Sequence, residues 1–164
     1  MEFEALQQVY QTTLGGLILQ IEHIGSTAVP HLEAKPILDI DLVIQDEDVL
    51  PQVIARLQML GYVHQGDQGI PQREVFKRLD SVVPHVSPRR QWMPHHLYVC
   101  PAQSEELRRH IAFRDALRAR ADWRQEYEKI KQGIAARADG DRKTYARIKE
   151  TECRVFVQRV LGDV

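Results

Sequence analysis

The segment Leu38-Asp39-Ile40-Asp41-Leu42-Val43-Ile44 constrains this chain more than any other stretch. Side chains along a strand point alternately to the two faces, so Leu38, Ile40, Leu42 and Ile44 form one apolar row that a sheet must bury. Asp39 and Asp41 are thereby driven to the opposite face, and a slip of one residue would bury both carboxylates, so the register is well specified. The two aspartates then stand about 6–7 Å apart along the backbone. That is close enough to share a hard cation such as Mg²⁺. Ile37 and Val43 flank them on their own face, which makes the two charges costly without a cation nearby.

Upstream, Leu17 to Ile24 reads as a strand that runs into Gly25-Ser26, with a short helix expected after Ser26 and stopped near Pro30. Gly25 lets the backbone approach a phosphate closely because it has no Cβ, and the N–H groups of a helix N-terminus would face the anion. Ser26 and Thr27 add hydroxyl donors. Lys35, four residues before Asp39, could reach a phosphate as a point charge. Arg73, Lys77 and Arg78 are further anion-contact candidates, although alternation sends Lys77 and Arg78 to opposite faces.

The run His23-Ile24-Gly25-Ser26-Thr27-Ala28-Val29-Pro30, followed by Ala34-Lys35-Pro36-Ile37 and Asp39-Ile40, resembles the signature of the GrpB-like (UPF0157) family within the nucleotidyltransferase superfamily. Phe113-Arg114-Asp115, Leu117-Arg118, Tyr127, Lys131, Asp141, Tyr145 and Lys149 are similar to that family's carboxy-terminal helices, so the likeness runs from about Glu22 onward. The resemblance implies an α/β (α+β) fold, a nucleotidyltransferase-like mixed sheet flanked by helices with a helical carboxy-terminal region. It implies a Gly-Ser turn against a triphosphate and strand carboxylates on Mg²⁺ or Mn²⁺. The corresponding activity is metal-dependent transfer of an NMP unit from an NTP to a small molecule, an RNA end or a protein hydroxyl. A nucleotide- or phosphate-binding module of the same fold without turnover is the competing reading.

Nucleotidyl transfer by two metal ions normally uses a third carboxylate. Glu74, in the strand candidate Glu74 to Leu79, is the first candidate. His96 is the second, because the related chains resemble this one in carrying histidine there. Imidazole is a poor Mg²⁺ ligand, so either the third group lies elsewhere, with Asp115 and Asp141 next, or the ion is one that tolerates nitrogen, or catalysis is impaired. Only one of His95 and His96 can face the site. His23 is expected to bond within its strand, and His31, His64, His85 and His110 to lie on the surface. Exchanging Asp39 or Asp41 for Asn is expected to leave stability unchanged or slightly raised, by relieving repulsion.

At 164 residues the chain has room for one domain, with a sheet-containing core over about 1–101 and helices over about 103–161. A net charge of −1 argues against binding DNA by bulk electrostatics. The two cysteines, Cys100 and Cys153, form no ligand motif and fit a reduced, cytoplasmic protein. No stretch has the apolar length of a membrane span or a signal peptide.

Helical spacing predicts a first helix from Phe3 to Leu14 closed by Gly15-Gly16, and a second with Asp48 as N-cap and Val49, Val53, Leu57 and Leu60 as its apolar stripe. Tyr62 to Gln65, Glu74 to Leu79 and His96 to Cys100 are the further strands. From an N-cap at Ser104 the rest is helical, broken at Ala138-Asp139-Gly140-Asp141. The proline-rich loop Val82 to Pro94 reads as a solvated insertion in preference to a flap over the substrate.

Overall fold

The protein is described by a computed structural model covering residues 1–162. Its elements run α1 (Glu2–Leu14), β1 (Gln20–Ile24), β2 (Leu38–Ile44), α2 (Leu50–Met59), β3 (Tyr62–His64), β4 (Glu74–Arg78), β5 (His95–Pro101), α3 (Glu105–Ala119), α4 (Ala121–Ala138) and α5 (Arg142–Gly162). The strands form one mixed sheet in the order β1-β2-β5-β4-β3. Only β2 and β5 run parallel; the other neighbours are antiparallel.

The apolar row of β2 is buried as its alternation demands. Leu38, Ile40, Leu42 and Ile44 join Leu97 and Val99 of β5 and Phe76 of β4 in a core capped by Leu6, Tyr10 and Leu14 of α1 and Val53 and Leu57 of α2. Truncating a fully buried leucine here, such as Leu57, removes roughly 2–5 kcal/mol of stability.

On the other face, α3 is fastened across β1 by Arg114, which donates to Glu22 Oε2 at 2.6 Å and to the carbonyl of His23 at 3.0 Å. Arg118 donates to the carbonyl of Ala28 at 2.9 Å. The helices α3, α4 and α5 build a second core from Leu117, Trp123, Tyr127, Ile134, Phe156 and Val160, which closes on Val29 and Leu32 of the β1–β2 connection. Because these helices pack largely on one another, a cavity remains between them and the sheet.

Local differences from expectation have physical causes. Asp46, not Asp48, is the cap before α2: its carboxylate accepts from the Asp48 N–H at 3.0 Å and starts a 3₁₀ turn that leads into the helix. The carboxy-terminal region has two breaks. Arg120 is extended between α3 and α4, and the expected break follows α4, where Asp139 and Gly140 take left-handed φ values of 45° and 78°. The 82–94 loop is not a solvated insertion. It sends Val83 and Trp92 into the core, and the Trp92 indole donates to the carbonyl of Pro84 at 2.9 Å.

Candidate active site

The strand register decides which candidates meet. Asp39 pairs with His96 and Asp41 with Tyr98 across β2–β5, so these four side chains share the sheet face turned toward α3. Glu74 pairs with Val99, a residue of the opposite core, and its carboxylate bonds to His64. Glu74 therefore stands on the wrong face to complete a site with the aspartates, and His64 is half-buried beside it rather than on the surface. His95 also turns inward, where its Nε2 bonds to the Tyr62 hydroxyl at 2.6 Å. Burial pushes the His95 imidazole down to about 4.

The turn after β1 is built around Asp39. Gly25 has φ of 72°, and a Cβ placed there would lie 2.5 Å from Asp39 Oδ2, so both the conformation and the space require glycine. The Ser26–Ala28 segment forms one 3₁₀ turn, shorter than a phosphate-binding helix. The Thr27 hydroxyl is engaged by His23 Nε2 at 2.9 Å. His23 itself stays paired within β1, and its side chain bonds to Thr27 of the turn rather than to a group of the strand.

The two carboxylates differ sharply in setting. Asp39 is partly exposed and its Oδ1 accepts from His96 Nδ1 at 2.9 Å, a bond that raises the His96 pKa. Asp41 is wholly buried; its Oδ2 accepts from His110 Nδ1 at 2.7 Å, and its Oδ1 is buried with no hydrogen-bond partner. Burial raises the Asp41 pKa and the His110 contact opposes the rise. For His110, burial acts to lower the pKa, but the bonds to Asp41 and Glu106 outweigh it and hold the imidazole up at about 9. His110 was expected on the surface and is instead the structural counter-ion of this face. Arg73 adds positive charge, acting on Asp41 from beside the Tyr98 ring, 5.0 Å from its centroid. Burial, with Asp39 adding to it, pushes the Tyr98 phenol up to about 12.

Above Asp39 opens a cavity of about 710 Å³ between the sheet and the carboxy-terminal helices. Gly25, Ser26, Thr27, Lys35, Asp39 and His96 line one side and Tyr127, Lys131, Arg142, Tyr145 and Lys149 the other. Lys131 donates to Ser26 Oγ at 3.5 Å and Lys35 lies over the Tyr145 ring at 4.6 Å, so cations from both halves of the chain converge. Burial lowers the Lys131 pKa and the Lys149 charge adds to the fall, while Glu128 and Glu33 oppose it. Lys77 is exposed on the same sheet face but lines a neighbouring cavity. Asp141 reaches the large cavity, yet its oxygens accept from the Lys143 and Thr144 N–H groups at the start of α5, and Asp115 is taken by Arg114.

A divalent metal is tested by this donor set. Among the described residues no group of three or more His, Cys, Asp and Glu side chains is arranged around an ion. Mg²⁺ commonly uses one or two carboxylates and fills its octahedron with phosphate oxygens and water. Asp39 lines the cavity and could serve as one such carboxylate, whereas Asp41, wholly buried beside it with Oδ1 unpartnered, does not line it.

The sequence profile described as GrpB protein matches residues 1–160. A UPF0157 protein of Pseudomonas aeruginosa is 35% identical over 160 residues, covering 98% of this chain and 61% of the relative. The UPF0157 protein YqkA of Bacillus subtilis is 28% identical over 82% of this chain, which corresponds to 36% of that protein, so the chain spans less than two thirds of both relatives. The glutamate-rich protein GrpB of Alkalihalophilus pseudofirmus is 29% identical over 99% of this chain and 88% of its own length. The crystal structure of the conserved protein GrpB from Enterococcus faecalis superimposes with a TM-score of 0.78 at 25% identity, over 98% of this chain and 91% of that one. With the family profile matching nearly the whole of it and a fold shared with a solved member, this chain belongs to the GrpB family.

Proposed function

We propose that the large cavity binds a nucleoside triphosphate and that the protein transfers its NMP unit, with a divalent metal, to an acceptor. The observation that carries this reading is the contact of Gly25 with Asp39 at the floor of a cavity that gathers Lys35, Lys131, Arg142 and Lys149. A cavity of about 710 Å³ is ample for a nucleotide, and Lys35, Lys131, Arg142 and Lys149 offer cations to a triphosphate beside the carboxylates of Glu33, Glu128 and Asp141 in the same lining. Tyr145, partly buried under Lys35, offers an aromatic surface for a base or ribose, while Tyr127 is stacked on Phe156 within the helical core. Asp39, with Asp41 buried behind it, would hold Mg²⁺ or Mn²⁺, which when bound would neutralise phosphate charge and align the attacking oxygen. His96, kept by Asp39, is the imidazole placed to exchange a proton at the cavity.

The same arrangement supports a binder without turnover. Asp41 is committed through one oxygen to His110, and no third carboxylate faces Asp39 among the described residues. Calorimetric titration of ATP, GTP, CTP and UTP, with and without Mg²⁺ or Mn²⁺, tests the shared core of both readings. Metal-dependent heat is expected for at least one; none for any of the four overturns the proposal. Pyrophosphate release with a panel of acceptors then separates the enzyme from the binder.

A further inference from the structure

The same sheet face carries a second cavity, of about 350 Å³, along β4 and β5. Its polar lining comes from Gln65, Gln68, Arg73 and Lys77, with His96 and Tyr98 on the β5 side. Those last two residues also line the large cavity, so the two spaces meet beside Asp39. We propose that this second cavity binds the anionic end of a small hydroxylated molecule, the acceptor of the nucleotidyl group.

The chemistry of the lining selects such a ligand. Among the described residues no Asp or Glu contributes to the cavity, while Arg73 and Lys77 rise from alternate positions on one face of the β4 segment. Neither cation makes an ion pair with a carboxylate within the cavity, although the Arg73 charge acts on Asp41 and Glu106 and its guanidinium lies over the Tyr98 ring. A carboxylate or phosphate oxygen is the acceptor that two such cations would bind. Arg78 lies at the same cavity but is committed to the carbonyl of Met93 and to His95. The two glutamines supply hydrogen-bonding groups suited to hydroxyls. The volume lies at the lower end of ligand cavities and limits the occupant to a small molecule.

This assignment rests on the nucleotide reading of the larger cavity. With the anion held by Arg73 and Lys77, the rest of the acceptor points toward the junction at His96. Its hydroxyl oxygen forms the new bond to the α-phosphorus as the bond to the bridging oxygen breaks. Pyrophosphate leaves with that electron pair, and the hydroxyl proton passes to His96 Nε2 and from there to solvent.

The test uses the full chain and two probes, glycerol 3-phosphate and glycerate, which present a phosphate and a carboxylate on similar hydroxylated frames. Each is titrated to millimolar concentration and followed through backbone amide shifts, alone and with ATP and Mg²⁺. Shifts at Gln65, Gln68 and Lys77 with either probe are expected, and the probe with the larger response identifies which anion the cavity takes. Lys77→Glu should weaken that probe by about tenfold or more while ATP affinity moves less than about twofold. Lys77→Gln, which removes the charge without reversing it, should lie between. Absence of shifts with both probes overturns the proposal, as does an unchanged affinity in Lys77→Glu. Probe binding without ATP binding would overturn the nucleotide reading and the acceptor role with it. ATP binding without probe binding would overturn only the second site.

Discussion

His110, from the middle of α3, donates through Nδ1 to the fully buried Oδ2 of Asp41 on the central strand β2 at 2.7 Å. One bond thus joins the sheet that carries the candidate site to the helix that begins the carboxy-terminal layer. Glu106, one turn earlier, takes the other imidazole nitrogen at 3.2 Å and holds the ring across the gap. The pair is therefore both a clamp on α3 and the reason Asp41 can be charged where water does not reach.

Removing His110 should unfold the protein more readily than removing any surface histidine. His110→Ala leaves the Asp41 carboxylate buried without its cation, and deletion of one partner of such a pair costs about 3 kcal/mol. Asp41→Asn should also lower the melting temperature, contrary to the gain expected from relief of repulsion, because it strands the imidazolium instead. Urea denaturation of both variants and the double variant gives the coupling. Additive effects of the two changes would show that the bond contributes nothing.

The same pair fixes the pH dependence of stability. His110 sits at about 9 in the folded chain against 6.5 when free, and Asp41 is raised as well, so folding takes up protons. The contribution of His110 is complete below about 6.5 and is lost as pH rises through 9. Its full size is about 3 kcal/mol. Thermal melts across this window should fall steadily for the wild type and more flatly for His110→Gln. A wild-type stability that rises from pH 6.5 to 9 would contradict the charged imidazole.

What could be read from the sequence follows from what is local. Alternation in β2 fixes its buried row and puts Asp39 and Asp41 on one face without reference to the rest of the chain. The Gly25 turn is likewise local in its conformation, though the reason for glycine, the Asp39 oxygen, is a contact across the sheet. His110 was not legible because its helix is charged on most sides, and no periodicity separates a half-buried histidine from a solvated one there. The order of strands decides the fate of Glu74. Only once β4 is paired antiparallel to β5 does its side chain fall on the far face. Lys131, Tyr145 and Lys149 were marked by family likeness alone; their meeting with Ser26 and Lys35 depends on how α4 and α5 fold back.

Gly25→Ala should damage the site more than the fold. The new Cβ would meet Asp39 Oδ2 at 2.5 Å and the backbone would hold alanine at φ of 72°. A strain of about 1–3 kcal/mol is expected, relieved in part by displacing the Asp39 side chain. Loss of metal-dependent nucleotide heat with a modest fall in melting temperature is the expected pair of results. Wild-type nucleotide affinity in this variant would mean that Asp39 is not positioned by the turn.

Lys131 and Lys149 should contribute to nucleotide affinity with little cost in stability. Both line the large cavity, and the Lys149 charge helps to lower the Lys131 pKa, a repulsion that a triphosphate would offset. Lys149→Ala should therefore raise the melting temperature slightly in the absence of nucleotide and weaken ATP binding by about tenfold. Paired calorimetry and melting curves check both effects. A variant that binds ATP as well as the wild type would remove this helix from the site.

The last expectation separates rate from binding. His96 touches Asp39 and lines both cavities, whereas Glu74 bonds to His64 on the other side of the sheet. His96→Ala should keep ATP affinity within a few-fold and abolish pyrophosphate release, because a group needed mainly in the transition state acts on rate more than on ground-state binding. Glu74→Gln should leave the rate near that of the wild type and change only the local bond to His64. The comparison needs a measurable wild-type turnover, sought with Mg²⁺ and Mn²⁺ and with hydroxylated anions as acceptors. Equal loss of rate in both variants would show that the two faces of the sheet do not act independently. Full activity in His96→Ala would assign any proton transfer to solvent and leave Asp39 as the chemical centre of the site.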